Sequence, residues 1–129
     1  MENVELSTLQ EPIALVVDDE PLLRMDAADM VTDAGFSVVE AATADEAMAF
    51  LERQSDLQLV LTDVQMPGRL NGLTLAQEIA DRWPHICVIV ASGATVPGDD
   101  ELPDTATFMN KPLNPRIVMA ALQKVYDAA

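Results

Sequence analysis

The sequence has 129 residues, of which 50% are hydrophobic, and a formal net charge of −15 at pH 7. That charge disfavours direct binding to nucleic acid or to an anionic membrane surface. No apolar run approaches the ~20 residues of a membrane span, and the amino terminus lacks the basic start and apolar block of a secretory signal. Residues 1–11 show no periodicity, so we expect a flexible arm followed by one domain over residues 12–129.

The first half of this domain alternates apolar runs with amphipathic stretches. Residues 13–17 are continuously apolar and are followed by acid, as expected for a strand that is buried on both faces. Apolar residues at helical spacing predict a helix over 21–34, and residues 36–39 predict a second strand. Thr43, followed by Glu46, is a capping-box pattern that predicts the start of a second helix.

The second half continues the alternation. Similar patterns predict a third strand that includes 57–61 and ends at Asp63, a helix over 73–83, strands over 86–90 and 106–109, and a last helix that Asn114 caps. Residues 93–105 interrupt the rhythm, because the two prolines and two glycines among them oppose a regular helix. Strands that alternate with helices indicate an α/β fold with helices on both faces of a parallel sheet. We predict a flavodoxin-like, five-stranded parallel sheet in the order 2-1-3-4-5.

Polar residues follow four of the five predicted strands. Because the carboxyl ends of parallel strands share one edge of the sheet, we expect these residues to converge at the switch point between strands 1 and 3. They are Asp18, Asp19, Asp63, Ser92 and Lys111. Clustered carboxylates repel one another unless a cation neutralises them, and Mg²⁺ prefers one or two carboxylates together with phosphate oxygens. A carboxylate can also accept a phosphoryl group as a nucleophile, while a metal and a lysine offset the charge.

Five motifs, in order along the chain, resemble those of response regulator receiver (CheY-like) domains. They are V-V-D-D-E at 16–20, L-T-D-V-Q-M-P-G at 61–68, N-G-L at 71–73, A-S-G at 91–93 and F-M-N-K-P at 108–112. The resemblance covers residues 12–128. The irregular segment before the last motif resembles that of some single-domain receivers, in which the helix between the fourth and fifth strands is degenerate, although the Phe-Ala-Thr-Gly motif of one such group is absent.

The resemblance implies a role for each clustered carboxylate. Asp63 is the expected phosphoacceptor. Asp19 and Asp63 are expected to bind Mg²⁺ together with the backbone carbonyl of Gln65, and Asp18 is expected to hold a metal-bound water.

Further roles follow from the same resemblance. Lys111 is expected to pair with the phosphoryl group, and the Lys111–Pro112 peptide bond is expected to be cis. Ser92 is expected to move toward the phosphoryl group and to let Phe108 swing inward. The alternatives are a Ser92 that only completes a turn and a Phe108 that stays fixed in the core.

A receiver of this kind is expected to take its phosphoryl group from a sensor histidine kinase or a phosphotransfer protein. It would catalyse its own phosphorylation and dephosphorylation rather than turn over an external substrate. We expect the output to be a downstream partner protein, or phosphoryl flow itself in a relay or phosphate sink. A single cysteine, Cys87, lies in an apolar run and is expected to be a buried strand residue in a reducing cytoplasm.

Two other functions compete with this interpretation. One is an aspartate-nucleophile phosphatase, in which the first strand ends in Asp-x-Asp, whereas the first predicted strand of this chain is followed by Asp-Asp-Glu. The other is an interaction module that has the receiver fold but works without phosphorylation. The intact set of carboxylates, serine and lysine argues against the second alternative.

Overall fold

The computed structural model of the protein describes residues 12–64, 71–93 and 102–128. In chain order the described elements are β1 (Ile13–Val17), α1 (Pro21–Asp33), β2 (Ser37–Ala41), α2 (Ala44–Arg53), β3 (Leu59–Asp63), α3 (Gly72–Arg82), β4 (Cys87–Ser92), β5 (Ala106–Asn110) and α4 (Pro115–Ala128). Every predicted strand and helix is therefore present. Within these ranges, no helix combines the length and the apolar composition needed to cross a membrane.

The five described strands form one parallel sheet in the order β2-β1-β3-β4-β5, which confirms the predicted fold. Asp63 at the end of β3 lies opposite Ala91 of β4, and Ser92 at the end of β4 lies opposite Asn110 of β5. The carboxyl ends of β1, β3, β4 and β5 therefore meet at one edge of the sheet, as the sequence pattern predicts.

Apolar side chains cover both faces of the sheet, because successive residues of a strand point to opposite sides. Leu15 and Val17 belong to the core that includes α2 and α3, whereas Ala14 and Val16 belong to the core that includes α1 and α4. All four side chains are at most 1% exposed. Burial on both faces explains why β1 is an unbroken apolar run instead of an alternating one.

Two predicted side-chain caps start helices in the structure. Thr43 Oγ1 accepts a hydrogen bond from Glu46 N (3.1 Å) at the start of α2. Asn114 Oδ1 accepts one from the backbone N–H two residues later (2.9 Å) at the start of α4. The Glu46 carboxylate accepts from Ala42 N (3.0 Å), one residue before the cap. Both caps are confirmed, although the reciprocal half of the capping box is shifted by one residue.

Helix α1 ends at a glycine that the turn requires. Gly35 has a φ of 103°, in the left-handed region that favours glycine. Its N–H donates to Thr32 O (3.0 Å), and Phe36 N donates to Val31 O (3.3 Å), which together form a Schellman motif. Phe36 therefore closes the helix, and the prediction that it starts the second strand is wrong. Strand β2 begins at Ser37.

Strand β3 ends at Asp63, as predicted, but begins at Leu59 instead of Leu57. Strand β4 extends beyond the predicted residues to Ser92. Leu57 is fully buried but precedes the paired residues, so apolar character alone does not mark the start of a strand. Cys87, predicted to be buried, is only partly buried because it starts β4.

Several predictions fall on residues outside the described ranges. They concern the arm over 1–11, the carbonyl of Gln65 and most of the irregular segment over 93–105. The described end of that segment, 102–105, contains a bend and a turn.

Candidate functional site

Three carboxylates meet where β1 and β3 end. Asp18 and Asp19 follow β1 directly, and Asp63 is the last residue of β3. One oxygen from each carboxylate lies within 4.8 Å of the oxygens from the other two. Asp18 is buried, Asp63 is partly buried and Asp19 is exposed. The structure thus brings together the three predicted metal ligands that have described side chains, and solvent reaches one end of the cluster.

Lys111 supplies a positive charge to this cluster. Its Nζ lies 3.1 Å from Asp18 Oδ2 and 3.4 Å from Asp63 Oδ2. Its backbone N–H donates to Ser92 O (2.9 Å), which ties the residue to the end of β4. Its side chain is 19% exposed, so these contacts are partly shielded from water.

The backbone around Asp63 is held by β4 and α3. Val64 N donates to Ala91 O (3.0 Å), and Gly72 N donates to Val64 O (2.8 Å). Thr62 Oγ1 donates to the carbonyl oxygen of Asp63 (3.0 Å). The carboxylate of Asp63 therefore projects from a backbone segment with several fixed hydrogen bonds.

Gly72 lies against this backbone at the start of α3. A Cβ atom on Gly72 would overlap Asp63 O, and it would lie 2.7 Å from Asp63 C and 2.9 Å from Val64 Cα. Asn71 caps the helix, because its Oδ1 accepts from Thr74 N (2.9 Å). The Asn-Gly pair thus allows α3 to begin in direct contact with the site. Sequence reasoning noted this motif but missed both the cap and the close approach.

Asp18 is held by contacts from three neighbouring segments. Its Oδ1 accepts from Glu20 N (2.9 Å), and its backbone N–H donates to Ala41 O (3.1 Å). Arg24 Nη1 donates to the Asp18 carbonyl (2.9 Å), and Arg24 Nε donates to Glu40 Oε1 (3.0 Å). Sequence reasoning missed Arg24. A basic residue near the start of a helix, where negative charge is favoured, was the available signal.

The predicted switch residues lie on the neighbouring strands. Ser92 is 3% exposed at the end of β4. Phe108 on β5 lies opposite Val90 and packs against the core that includes α2 and α3. The Lys111–Pro112 peptide bond is cis, as predicted. The movements of Ser92 and Phe108 stay predictions.

A cavity of about 350 Å³ lies beside the carboxylates, between α1 and the segment that follows β5. Apolar side chains make up much of its lining, among them Leu23, Met30 and Leu113. On α1, Leu22 and Met25 are exposed next to Leu23. Apolar surface therefore adjoins the charged site.

Residues 14–123 match the family model of the response regulator receiver domain. The chain belongs to this family. The receiver is 42% identical over 86 residues to the hydrogenase transcriptional regulatory protein HoxA of Cupriavidus necator. This match covers 67% of the chain and 17% of HoxA. It is 33% identical over 116 residues to the transcriptional regulatory protein FixJ of Azorhizobium caulinodans, with 84% of the chain and 52% of FixJ covered.

A solved receiver domain protein (CheY-like) from Methanospirillum hungatei JF-1 has the same fold as this receiver. The TM-score is 0.80 at 24% identity, and the match covers 92% of the chain and 96% of that protein. The chain spans about half or less of the length of HoxA and FixJ.

Family membership establishes the class of function. The protein is a receiver domain of the two-component response regulator type, and phosphoryl transfer to an aspartate is characteristic of such domains. Receiver domains are signalling domains that interact with histidine kinases and downstream effectors. The cluster formed by Asp18, Asp19 and Asp63 could bind a metal ion.

Proposed function

We propose that this receiver accepts a phosphoryl group on Asp63, in a Mg²⁺-dependent reaction with a sensor histidine kinase or a phosphotransfer protein. The observation that carries the proposal is the contact of Lys111 with both Asp18 and Asp63 within a cluster of three carboxylates. A nucleophile, metal ligands and a cation in one small volume are the groups that phosphoryl transfer to a carboxylate needs.

The chemistry of the donor set fits Mg²⁺. Asp19, Asp63 and the carbonyl of Gln65 would be the protein ligands, and Asp18 would hold a metal-bound water. Few protein oxygens, with positions left for water and phosphate, suit this ion. Three ionised carboxylates and the Lys111 ammonium have a combined formal charge of −2, which a divalent cation neutralises. Bound Mg²⁺ would offset the negative charge of the phosphoryl oxygens.

In the proposed reaction a carboxylate oxygen of Asp63 attacks the phosphorus of a phosphohistidine. An O–P bond forms while the N–P bond breaks, and the electron pair of that bond returns to the donor imidazole. Lys111 lies 3.4 Å from Asp63 Oδ2 and would pair with an oxygen of the transferred group. Ser92, at the adjacent strand end, would donate a hydroxyl hydrogen bond to another.

The surface beside the site is suited to a protein donor. Leu22, Leu23 and Met25 expose apolar area on α1, next to the cavity that adjoins Asp63. The net charge of −15 favours a partner with a basic surface and disfavours nucleic acid. We therefore expect this domain to contact proteins, in the cytoplasm, and not nucleic acid or membrane.

The signal is proposed to leave through Ser92 and Phe108. Ser92 O accepts from Lys111 N, and Phe108 lies opposite Val90, which precedes Ser92 on the same strand. Movement of Ser92 toward a phosphoryl group on Asp63 would shift the strand end beside Phe108. A downstream protein would bind the altered surface, unless the phosphoryl group itself passes on in a relay or phosphate sink.

Incubation with acetyl phosphate and Mg²⁺, followed by intact mass measurement, tests the proposal. We expect one phosphoryl adduct that hydroxylamine removes, because the product is an acyl phosphate. Asp63→Asn should form none. Asp81→Asn, which changes an exposed acid on α3, should label like the wild type. Wild-type labelling of Asp63→Asn would place the nucleophile elsewhere.

Two other outcomes would favour the competing functions. A wild-type protein that gains no adduct would favour a module that works without phosphorylation. Repeated turnover of a generic phosphate ester would favour a phosphatase.

A further inference from the structure

Arg24 connects three segments around the acidic pair. The residue belongs to α1, and its guanidinium donates to Asp18 O (2.9 Å) and to Glu40 Oε1 of β2 (3.0 Å). The side chains of Arg24 and Glu40 are 20% and 41% exposed. Ion pairs at such exposure contribute little to stability. The hydrogen bond to the Asp18 carbonyl is a separate, part-buried contact, and it lies at the acidic pair itself.

The carbonyl that Arg24 binds lies just beyond β1. Asp18 N still donates to Ala41 O of β2 (3.1 Å), but Asp18 O accepts from the guanidinium. Asp18 O, Asp19 N and Asp19 Cα belong to one planar peptide unit. A hydrogen bond that fixes the oxygen therefore also restrains the Cα atom from which the Asp19 carboxylate projects.

The shape of arginine suits this task. Its Nε and Nη1 donors point in fixed directions from a planar group, whereas a lysine ammonium sits on a flexible stem. Glu40 binds Nε and so sets the rotation of the plane, which directs Nη1 at the Asp18 carbonyl. We propose that Arg24, oriented by Glu40, is a positioning residue that holds Asp18 and Asp19 in the geometry that binds Mg²⁺. This inference rests on the proposed function and extends it to a residue outside the ligand set.

Charge and position have opposite effects on Mg²⁺ affinity. Removal of a cation near three carboxylates would, by charge alone, tighten Mg²⁺ binding. Loss of positioning weakens it, and about tenfold is the lower end of the effect of removing a group that orients metal ligands. We expect Arg24→Met to weaken binding by about this factor. Arg24→Lys keeps the charge but not the planar fork, so it loses positioning without the compensating loss of charge and should weaken binding by at least this factor.

Calorimetric titration of the full chain with Mg²⁺ measures these affinities. Glu40→Gln should weaken binding in the wild-type background and weaken it less in the Arg24→Met background, because its positioning effect acts through Arg24 and only its charge effect remains there. Arg82→Met is the matched control. It removes the same charge and an ion pair of the same 3.0 Å length, to Glu52, at the far end of α3 from the site. Its Mg²⁺ affinity should equal that of the wild type.

The labelling rate with acetyl phosphate provides a second readout. At low Mg²⁺ the Arg24 variants should label more slowly than the wild type, and raising the Mg²⁺ concentration should narrow the difference in rate, because weaker binding raises the concentration that the reaction requires. Tighter Mg²⁺ binding by Arg24→Met, with unchanged binding by Arg24→Lys, would overturn the positioning role. If Arg24→Met does not fold, the Mg²⁺ affinities of Arg24→Lys and Glu40→Gln test the positioning role. A wild-type protein that does not bind Mg²⁺ would overturn the proposed function itself.

Discussion

Among the glycines next to the site, Gly72 is the one at which an added methyl group should lower stability and labelling most. In Gly72→Ala the new Cβ would overlap Asp63 O and lie 2.7 Å from Asp63 C and 2.9 Å from Val64 Cα. These are backbone atoms, and Val64 N donates a hydrogen bond to Ala91 O of β4 (3.0 Å). They cannot rotate away as the end of a flexible side chain could. Either α3 moves outward or the backbone of Asp63 shifts.

Two contributions of opposite sign set the size of this effect. Alanine gains up to about 1 kcal/mol over glycine inside a helix, and less at the first position. Overpacking costs about 1–3 kcal/mol, with the upper end appropriate where the neighbours are backbone. A net loss of about 2 kcal/mol in the free energy of unfolding corresponds to a melting temperature lower by roughly 8 °C for a chain of this length.

Thermal unfolding of Gly72→Ala beside Gly93→Ala checks this reasoning. A Cβ on Gly93 would meet Lys111 Cβ at 3.5 Å, an ordinary van der Waals contact, so this variant should melt close to the wild type. Labelling of Asp63 should also slow in Gly72→Ala, because a displacement of about 1 Å can cost ~100-fold in rate. Equal melting temperatures for the two variants would refute the argument from close approach.

Four more outcomes are expected. At Mg²⁺ concentrations ten times the dissociation constant, the wild type should gain about 1.4 kcal/mol of stability, and Asp19→Ala should lose this dependence of the melting temperature on Mg²⁺. Lys111→Met should bind Mg²⁺ about fivefold more tightly, from ~1 kcal/mol of removed charge repulsion, while its labelling by acetyl phosphate slows. Gly35→Ala should lose about 1–2 kcal/mol in denaturant unfolding, because its φ of 103° is unfavourable for a residue with a side chain. Beryllofluoride should change hydrogen exchange across 92–108, and unchanged exchange would contradict the proposed role of Ser92 and Phe108.

The sheet topology and the edge that carries the site were predictable because they depend on patterns that burial imposes. A strand covered on both faces is mostly apolar, as 14–17 are, and the first charged residue after such a run then marks the edge of the sheet. Asp18 and Lys111 are 93 residues apart in sequence and 3.1 Å apart in space for this reason. The alternation of strands and helices placed both of them at carboxyl ends.

Contacts between side chains and backbone could not be predicted from such patterns. The burial of Phe36 and Leu57 is compatible with strand or loop. Phe36 instead bonds back to Val31 at the end of α1, and the pairing of β3 begins only at Leu59. The close approach of Gly72 depends on how α3 sits on β3, which no local sequence pattern encodes. Arg24 was missed because its partner is a carbonyl oxygen, which every residue has, so its unusual place near the start of a helix does not identify the contact.

Lys111 is placed so that a change of charge on Asp63 would alter its contacts. Its ammonium contacts the Asp18 and Asp63 carboxylates, so it restrains the cluster and competes with a cation for the same oxygens. That competition would weaken the proposed binding of Mg²⁺. A phosphoryl group on Asp63 would replace a carboxylate charge with a larger one, and the ammonium would follow it. Lys111 N donates a hydrogen bond to Ser92 O (2.9 Å), so a movement that extended to the Lys111 backbone would reach the end of β4 through this single contact.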